Sequence, residues 1–239
     1  MILESTWNGF RRIDFEFMGR KAILVFPNEG QKCDKWLLKT EYFDAFPELE
    51  IEMVKRGWHL AYVSNVTRWC LDEDLDVKKA FAEYLNHQYG LEQTCVPVGM
   101  SCGGMIAVKF AAKYSECVSC IYIDAPVIDL TSCFSTGETG ERLYQEFRKA
   151  TGMTMEDLRD YREQPKDMIP ILLERKIPVM MVYGKVDTVV PYDENGALLE
   201  HYYTDHRGIL KVIGKEECGH HPHGLEDNSP IVEFILKYS

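Results

Sequence analysis

The sequence predicts an α/β fold: a mostly parallel central sheet with helices on both faces. Short apolar runs alternate with stretches of helical periodicity over almost the whole chain, as strand–helix–strand crossovers require. One such run ends in a G-x-S-x-G corner that opens into a helical pattern. Hydrophobic residues make up 46% of the 239 positions, enough for one sizeable core.

The elements follow in order. "RRIDFEFMG" alternates and stops at glycine, as an early hairpin strand does. "KAILVFP" is continuously apolar, the mark of a strand buried on both faces. "YFDAFPELEIEMVKRG" carries helical spacing up to Gly57, and "WHLAYVSN" is the next buried strand. "DLDVKKAFAEYLNHQYG" is an amphipathic helix with Val77, Phe81 and Leu85 on one face and Gly90 at its end. "CVPVGM" is a strand and "GMIAVKFAAKYSE" a helix; "VSCIYIDAP" and "IPVMMVYG" are strands. "NGALLEHYYTDH" is a helix, "GILKVIG" a strand and "PIVEFILKY" a last helix. No repeat or linker interrupts the series, which reads as a single domain over residues 1–239. Residues 127–167 are longer than one crossover helix needs, and two helical patterns near 139–150 and 154–163 predict a small cap over the strand ends.

Charge and cysteine usage narrow the function. The 27 basic and 38 acidic residues leave a formal charge of −11, which argues against a nucleic-acid binder or docking on anionic lipid. Eight cysteines raise the question of a secreted disulfide framework. However, "MILESTWNGFRRIDF" has neither a basic n-region nor an apolar h-region, and several cysteines sit inside apolar runs. The expectation is a reducing cytoplasm. No apolar run approaches the ~18 residues of a membrane span.

The corner "VGMSCGGM" puts Ser101 between a strand and a helix, flanked by Gly99, Gly103 and Gly104. A strained elbow there tolerates only small neighbours and exposes the hydroxyl at the carboxyl end of the sheet. It also aims the amide of Cys102 at a developing oxyanion. A capping serine in a glycine-rich turn is the plainer alternative. Two later stretches favour the reactive one. "YGKVDTVVP" places Asp187 just after a strand, and "CGHHPHGLEDN" places His220 directly after Gly219. The order serine, aspartate, histidine is the one this architecture uses for a triad. Serine needs a base, and the base needs a carboxylate to hold its tautomer.

On "VGMSCGGM", "YGKVDTVVP" and "GHHPHGLED" the chain resembles the α/β-hydrolase superfamily, from about residue 20 onward. "WLLKTEYF", "YIDAPVIDL" and "VPYDENGALLEHYY" make it similar to small esterase-like members of prolyl-oligopeptidase type or carbohydrate-esterase type. The resemblance implies an α/β-hydrolase fold and a serine hydrolase, a carboxylesterase for choice. Its substrate would be a small ester, an acylated sugar among the options, with no metal or organic cofactor. A peptidase or amidase on the same triad and a non-catalytic binding protein of the same fold are the alternatives. Where relatives begin the oxyanion loop with histidine–glycine, this chain has "FPNEG". By position the second donor is the amide of Glu29, with Asn28 as the fallback.

Rival residues remain. Asp124 follows the preceding strand and competes with Asp187 for the acid; Asp193 and Glu194 lie further along the loop. His221 and His223 are expected to pack the loop. The three histidines span only four residues and no second ligand cluster has recognised spacing, so no metal is expected. Cys102, at a helix amino terminus, is open to a lowered thiol pKa and oxidation. Cys117 and Cys120 form a lone C-x-x-C that reads as two buried thiols. Trp36, Trp69 and Tyr42 are candidate walls of the substrate pocket, and Phe134, Tyr144 and Phe147 face either the pocket or the cap's own core. Oligomeric state is not legible.

Overall fold

The computed structural model describes residues 2–135 and 137–239. Among them a nine-stranded sheet has the order β1-β2-β3-β5-β4-β6-β7-β8-β9. β1 (Leu3–Trp7), β2 (Phe10–Phe17) and β3 (Arg20–Val25) form an antiparallel meander, and β3 pairs antiparallel with β5 (His59–Val63). From β5 onward the sheet is parallel: β4 (Trp36–Lys39), β6 (Val96–Met100), β7 (Ile121–Asp124), β8 (Val179–Gly184) and β9 (Leu210–Lys215). This is the α/β-hydrolase fold.

The strand order reverses around β4, which precedes β5 in the chain but lies between β5 and β6. Open α/β sheets bind ligands at such a switch point, beyond the carboxyl ends of the strands. The central strands carry unbroken apolar runs because both their faces are covered. On one face α1 (Glu48–Lys55) and α9 (Ser229–Tyr238) bury Met53, Val54, Ile231 and Ile235. On the other, α2 (Asp72–Tyr89) and α3 (Cys102–Lys113) bury Phe81, Leu85, Ile106 and Phe110. Gly90, at φ 69°, ends α2 in the left-handed conformation the sequence suggests.

The insertion folds as α4 (Leu130–Phe134), α5 (Gly137–Thr151) and α6 (Met155–Asp160), followed by α7 (Pro165–Glu174). α8 (Gly196–Asp205) then leads into β9. β1 and β4 have no counterpart in the sequence-derived list, and the helix expected from residue 42 begins only at Glu48. Pro47 sets that start, since the residue before a proline avoids helical geometry. No helix of the described residues is long and apolar enough to cross a membrane.

Candidate active site

Ser101 is the residue between β6 and α3, and its backbone is held at φ 53°, ψ −121°. That region is costly for a residue with a Cβ and persists only where the surroundings enforce it. Here the Ser101 amide donates to the Asp124 carbonyl at 2.9 Å, and the Ser101 carbonyl accepts from Gly104 at 2.9 Å and Val127 at 3.1 Å. The small flanking residues are obligatory. A Cβ on Gly99 would lie 2.2 Å from the Gly103 carbonyl oxygen, and one on Gly104 would lie 2.6 Å from Cβ of Pro126.

The hydroxyl this elbow presents is 3.1 Å from Nε2 of His220, and Nδ1 of His220 is 2.7 Å from Asp187 Oδ2. Asp187 follows β8, and His220 lies in the loop after β9, so neighbouring parallel strands deliver both. The other Asp187 oxygen accepts from the amides of Val189 and Val190 at 2.8 and 2.9 Å. Burial pushes the Asp187 carboxyl up. The hydrogen bonds from His220 and the two amides outweigh it and leave its pKa below the ordinary 3.8. An ionised Asp187 keeps the His220 proton on Nδ1, so Nε2 is free to accept from Ser101.

Asp124 serves a different histidine. His223 Nδ1 donates to Asp124 Oδ1 at 2.8 Å, while Asp124 Oδ2 accepts from the Gly224 amide at 2.7 Å and the Tyr122 hydroxyl at 3.1 Å. His221 stacks on Phe46 with ring centroids 5.5 Å apart, and His223 meets the same ring edge-on. Partial burial and the neighbouring His220 and His223 push the His221 pKa down. Asp193 and Glu194 form a 3-10 turn before α8 and take no part in the relay.

A cavity of about 420 Å³ opens above Ser101. Tyr42, Phe46, Arg68 and Trp69 wall it from the body of the fold, and Thr139, Arg142 and Leu143 of α5 wall it from the cap. Arg68 pairs with Glu146 of α5, Trp69 Nε1 donates to the same carboxylate at 3.1 Å, and Phe134 and Phe147 pack on the Trp69 ring. Arg68 stands just beyond the carboxyl end of β5, a position that could have flagged it; Arg142 carried no signal in the sequence.

Three expectations need correction. Glu29, with Asn28, lies in the loop after β3, and β3 runs antiparallel to its parallel neighbour. That loop therefore reaches the amino edge of the sheet, where Cys33 bonds to the Gly57 carbonyl just before β5. Glu29 cannot reach the Ser101 oxyanion. The loop beyond β4, with Thr40, Glu41 and Tyr42, lies there instead. Trp36 opens β4 at the same far edge, 1% exposed, with its indole donating to the Glu92 carbonyl at 2.9 Å; it is a core residue. The Cys102 thiol is buried, and burial pushes it up to about 11 despite the helix amino terminus, so it is held protonated. Burial likewise raises Cys117 to about 11 and Cys120 to about 12, and no two cysteines of the described residues are joined in a disulfide.

A serine elbow at the switch point, with base and acid arriving from the next strands, is the arrangement that serine hydrolases use. Residues 56–221 match the prolyl oligopeptidase family, and the chain belongs to that family. No curated protein matches it significantly. Among solved structures it is similar to the acylaminoacyl peptidase of Pyrococcus horikoshii at 15% identity and a TM-score of 0.68, covering 94% of this chain and 39% of that one. It is also similar to dipeptidyl peptidase 4 of Porphyromonas gingivalis at 14% identity and TM-score 0.69, over 98% and 35%. A puromycin-hydrolyzing peptidase of Mycobacterium tuberculosis aligns at 15% identity and TM-score 0.67, over 90% and 35%. The chain spans little more than a third of the length of these proteins.

Proposed function

We propose that this serine hydrolase is a peptidase or amidase acting on small peptide-like substrates through an acyl-enzyme. The observation that carries the reading is membership of the prolyl oligopeptidase family over a stretch containing Ser101, Asp187 and His220. It favours the amide over the carboxylic ester that the sequence alone puts first. The names of the similar structures, all peptidases, agree with it. The cavity of about 420 Å³ suits a substrate of a few residues or an N-acylated amino acid.

In this mechanism His220 Nε2 takes the Ser101 proton as Oγ attacks the carbonyl, then delivers it to the departing amine. Water repeats the attack on the acyl-enzyme with His220 again as base, and Asp187 stabilises the imidazolium in both halves. The amide of Cys102 is one oxyanion donor. For the second, the Thr40 amide is already spent on the Val98 carbonyl at 3.0 Å. We assign the role to the Tyr42 amide, since Tyr42 lines the cavity with Ser101 and Cys102. Each such donor is worth ~3–4 kcal/mol of the barrier. The test pairs fluorophosphonate labelling of Ser101 with turnover of matched aminoacyl p-nitroanilides and p-nitrophenyl esters. Turnover of both by wild type and of neither by Ser101→Ala is expected. Turnover of esters with no detectable anilide cleavage across the panel would return the assignment to an esterase.

A further inference from the structure

The Asp124–His223 pair takes no part in the relay, yet it is as buried as the pair that does: the side chains of Asp124 and Asp187 are each 1% exposed. Both carboxylates hold a histidine by Nδ1, which leaves Nε2 of His220 and of His223 as lone-pair donors. A carboxylate behind the imidazole is the arrangement that orients histidine ligands in zinc sites. The third ring, His221, lies between them in the chain. One ring nitrogen from each of His220, His221 and His223 lies within 4.8 Å of the other two, and all three rings line the cavity above Ser101.

We infer that His220, His221 and His223 form an inhibitory site for a divalent transition-metal ion, Zn2+ above all, which closes the active site by occupying its base. Three imidazoles with an open fourth position make a complete ligand set for zinc, with metal–nitrogen distances of about 2.0–2.1 Å. Tetrahedral binding needs the nitrogens roughly 3.3 Å apart, so the triangle must contract. His221 is the ring that can supply the movement, because it is exposed and held by stacking on Phe46. The fourth position faces the cavity, open to water or Ser101 Oγ. The ion consumes the lone pair that would accept the Ser101 proton, so a zinc-loaded chain has no general base.

The inference rests on the reading of His220 as that base, and the experiment separates the two. Isothermal titration with ZnCl2, the visible spectrum of the Co2+-loaded protein, and the rate of Ser101 labelling by a fluorophosphonate are measured on wild type, His221→Asn and His223→Asn. Each variant's slowing is referred to its own zinc-free rate. One equivalent of Zn2+ with a tetrahedral cobalt spectrum, slowed labelling restored by EDTA, and at least about tenfold weaker binding in either variant are expected. Absence of saturable binding, binding equal in all three proteins, or binding that leaves labelling unchanged overturns the site. If wild type fails to label even without zinc, the hydrolase reading fails. Titration, cobalt spectrum and variants then decide the metal site alone.

Discussion

At the scale of single residues, the active site divides two similar carboxylates by the histidine each one holds. Asp187 faces the histidine that touches Ser101, and Asp124 faces one that does not. Asp187→Asn removes the group that fixes the tautomer of His220, and kcat should fall about 10⁴-fold. Asp124→Asn should leave kcat within an order of magnitude while costing roughly 1–3 kcal/mol of stability, since it disrupts buried bonds to His223 and Gly224. Steady-state kinetics beside urea unfolding of the two variants checks both. The pH dependence carries a definite sign. The Asp187 carboxyl is lowered from 3.8 in the folded chain, so it stabilises the fold above that value, and the contribution fades as pH falls through the lowered value. The melting temperatures of wild type and Asp187→Asn should therefore converge as the pH drops below about 4; a gap that widened there would contradict the assignment.

At the scale of elements, the loop that faces the elbow is set by a fully buried ion pair. Lys39, last residue of β4, pairs with Glu50 of α1, both side chains 0% exposed, and Lys39 Nζ also donates to the Ala45 carbonyl at 3.3 Å. Residues 40–47 thus run between two anchored ends and present Tyr42 to the cavity. Removing one partner strands a buried charge, so Lys39→Met should cost about 3–5 kcal/mol. Lys39→Met with Glu50→Leu should recover much of that, and chemical denaturation of the singles and the double reads it directly. This part of the structure was also the least legible in the sequence. β4 is four residues long and gives no usable period, so the pattern runs from β3 straight to the next long apolar stretch and points the oxyanion role at Glu29. The assignment failed on strand direction, which no local pattern encodes. The sequence can suggest bringing Ser101, Asp187 and His220 together because each sits in a short motif a few residues beyond a strand that the pattern reveals. The His223–Asp124 pair joins positions 99 apart through side-chain placement alone, and spacing could not reveal it.

For the molecule as a whole, the cap is tied to the body at the cavity rim. Arg68, beyond β5, pairs with Glu146 on α5, and Trp69 donates to the same carboxylate. The ion pair is partly exposed, 32% and 43%, so by itself it is worth no more than about 1 kcal/mol. Its effect is local. Arg68→Ala should leave global stability nearly unchanged while raising amide exchange across residues 137–151 and raising KM more than it lowers kcat. Hydrogen-exchange mass spectrometry with matched kinetics would show it, and unchanged exchange in α5 would count against this tether.

The reversal of strand order around β4 also bears on how the chain matures during synthesis. β4 leaves the ribosome before β5, but its second edge has no partner until β6 emerges, because β4 pairs with both. In the interval its backbone groups offer an open template for mispairing. The same event that closes this edge also brings the elbow serine beside the loop that follows β4. Reactivity comes later than this protection, because the base His220 lies beyond β9 and emerges long after β6, so an activity-based probe applied to nascent chains labels Ser101 only once residue 220 has joined the fold.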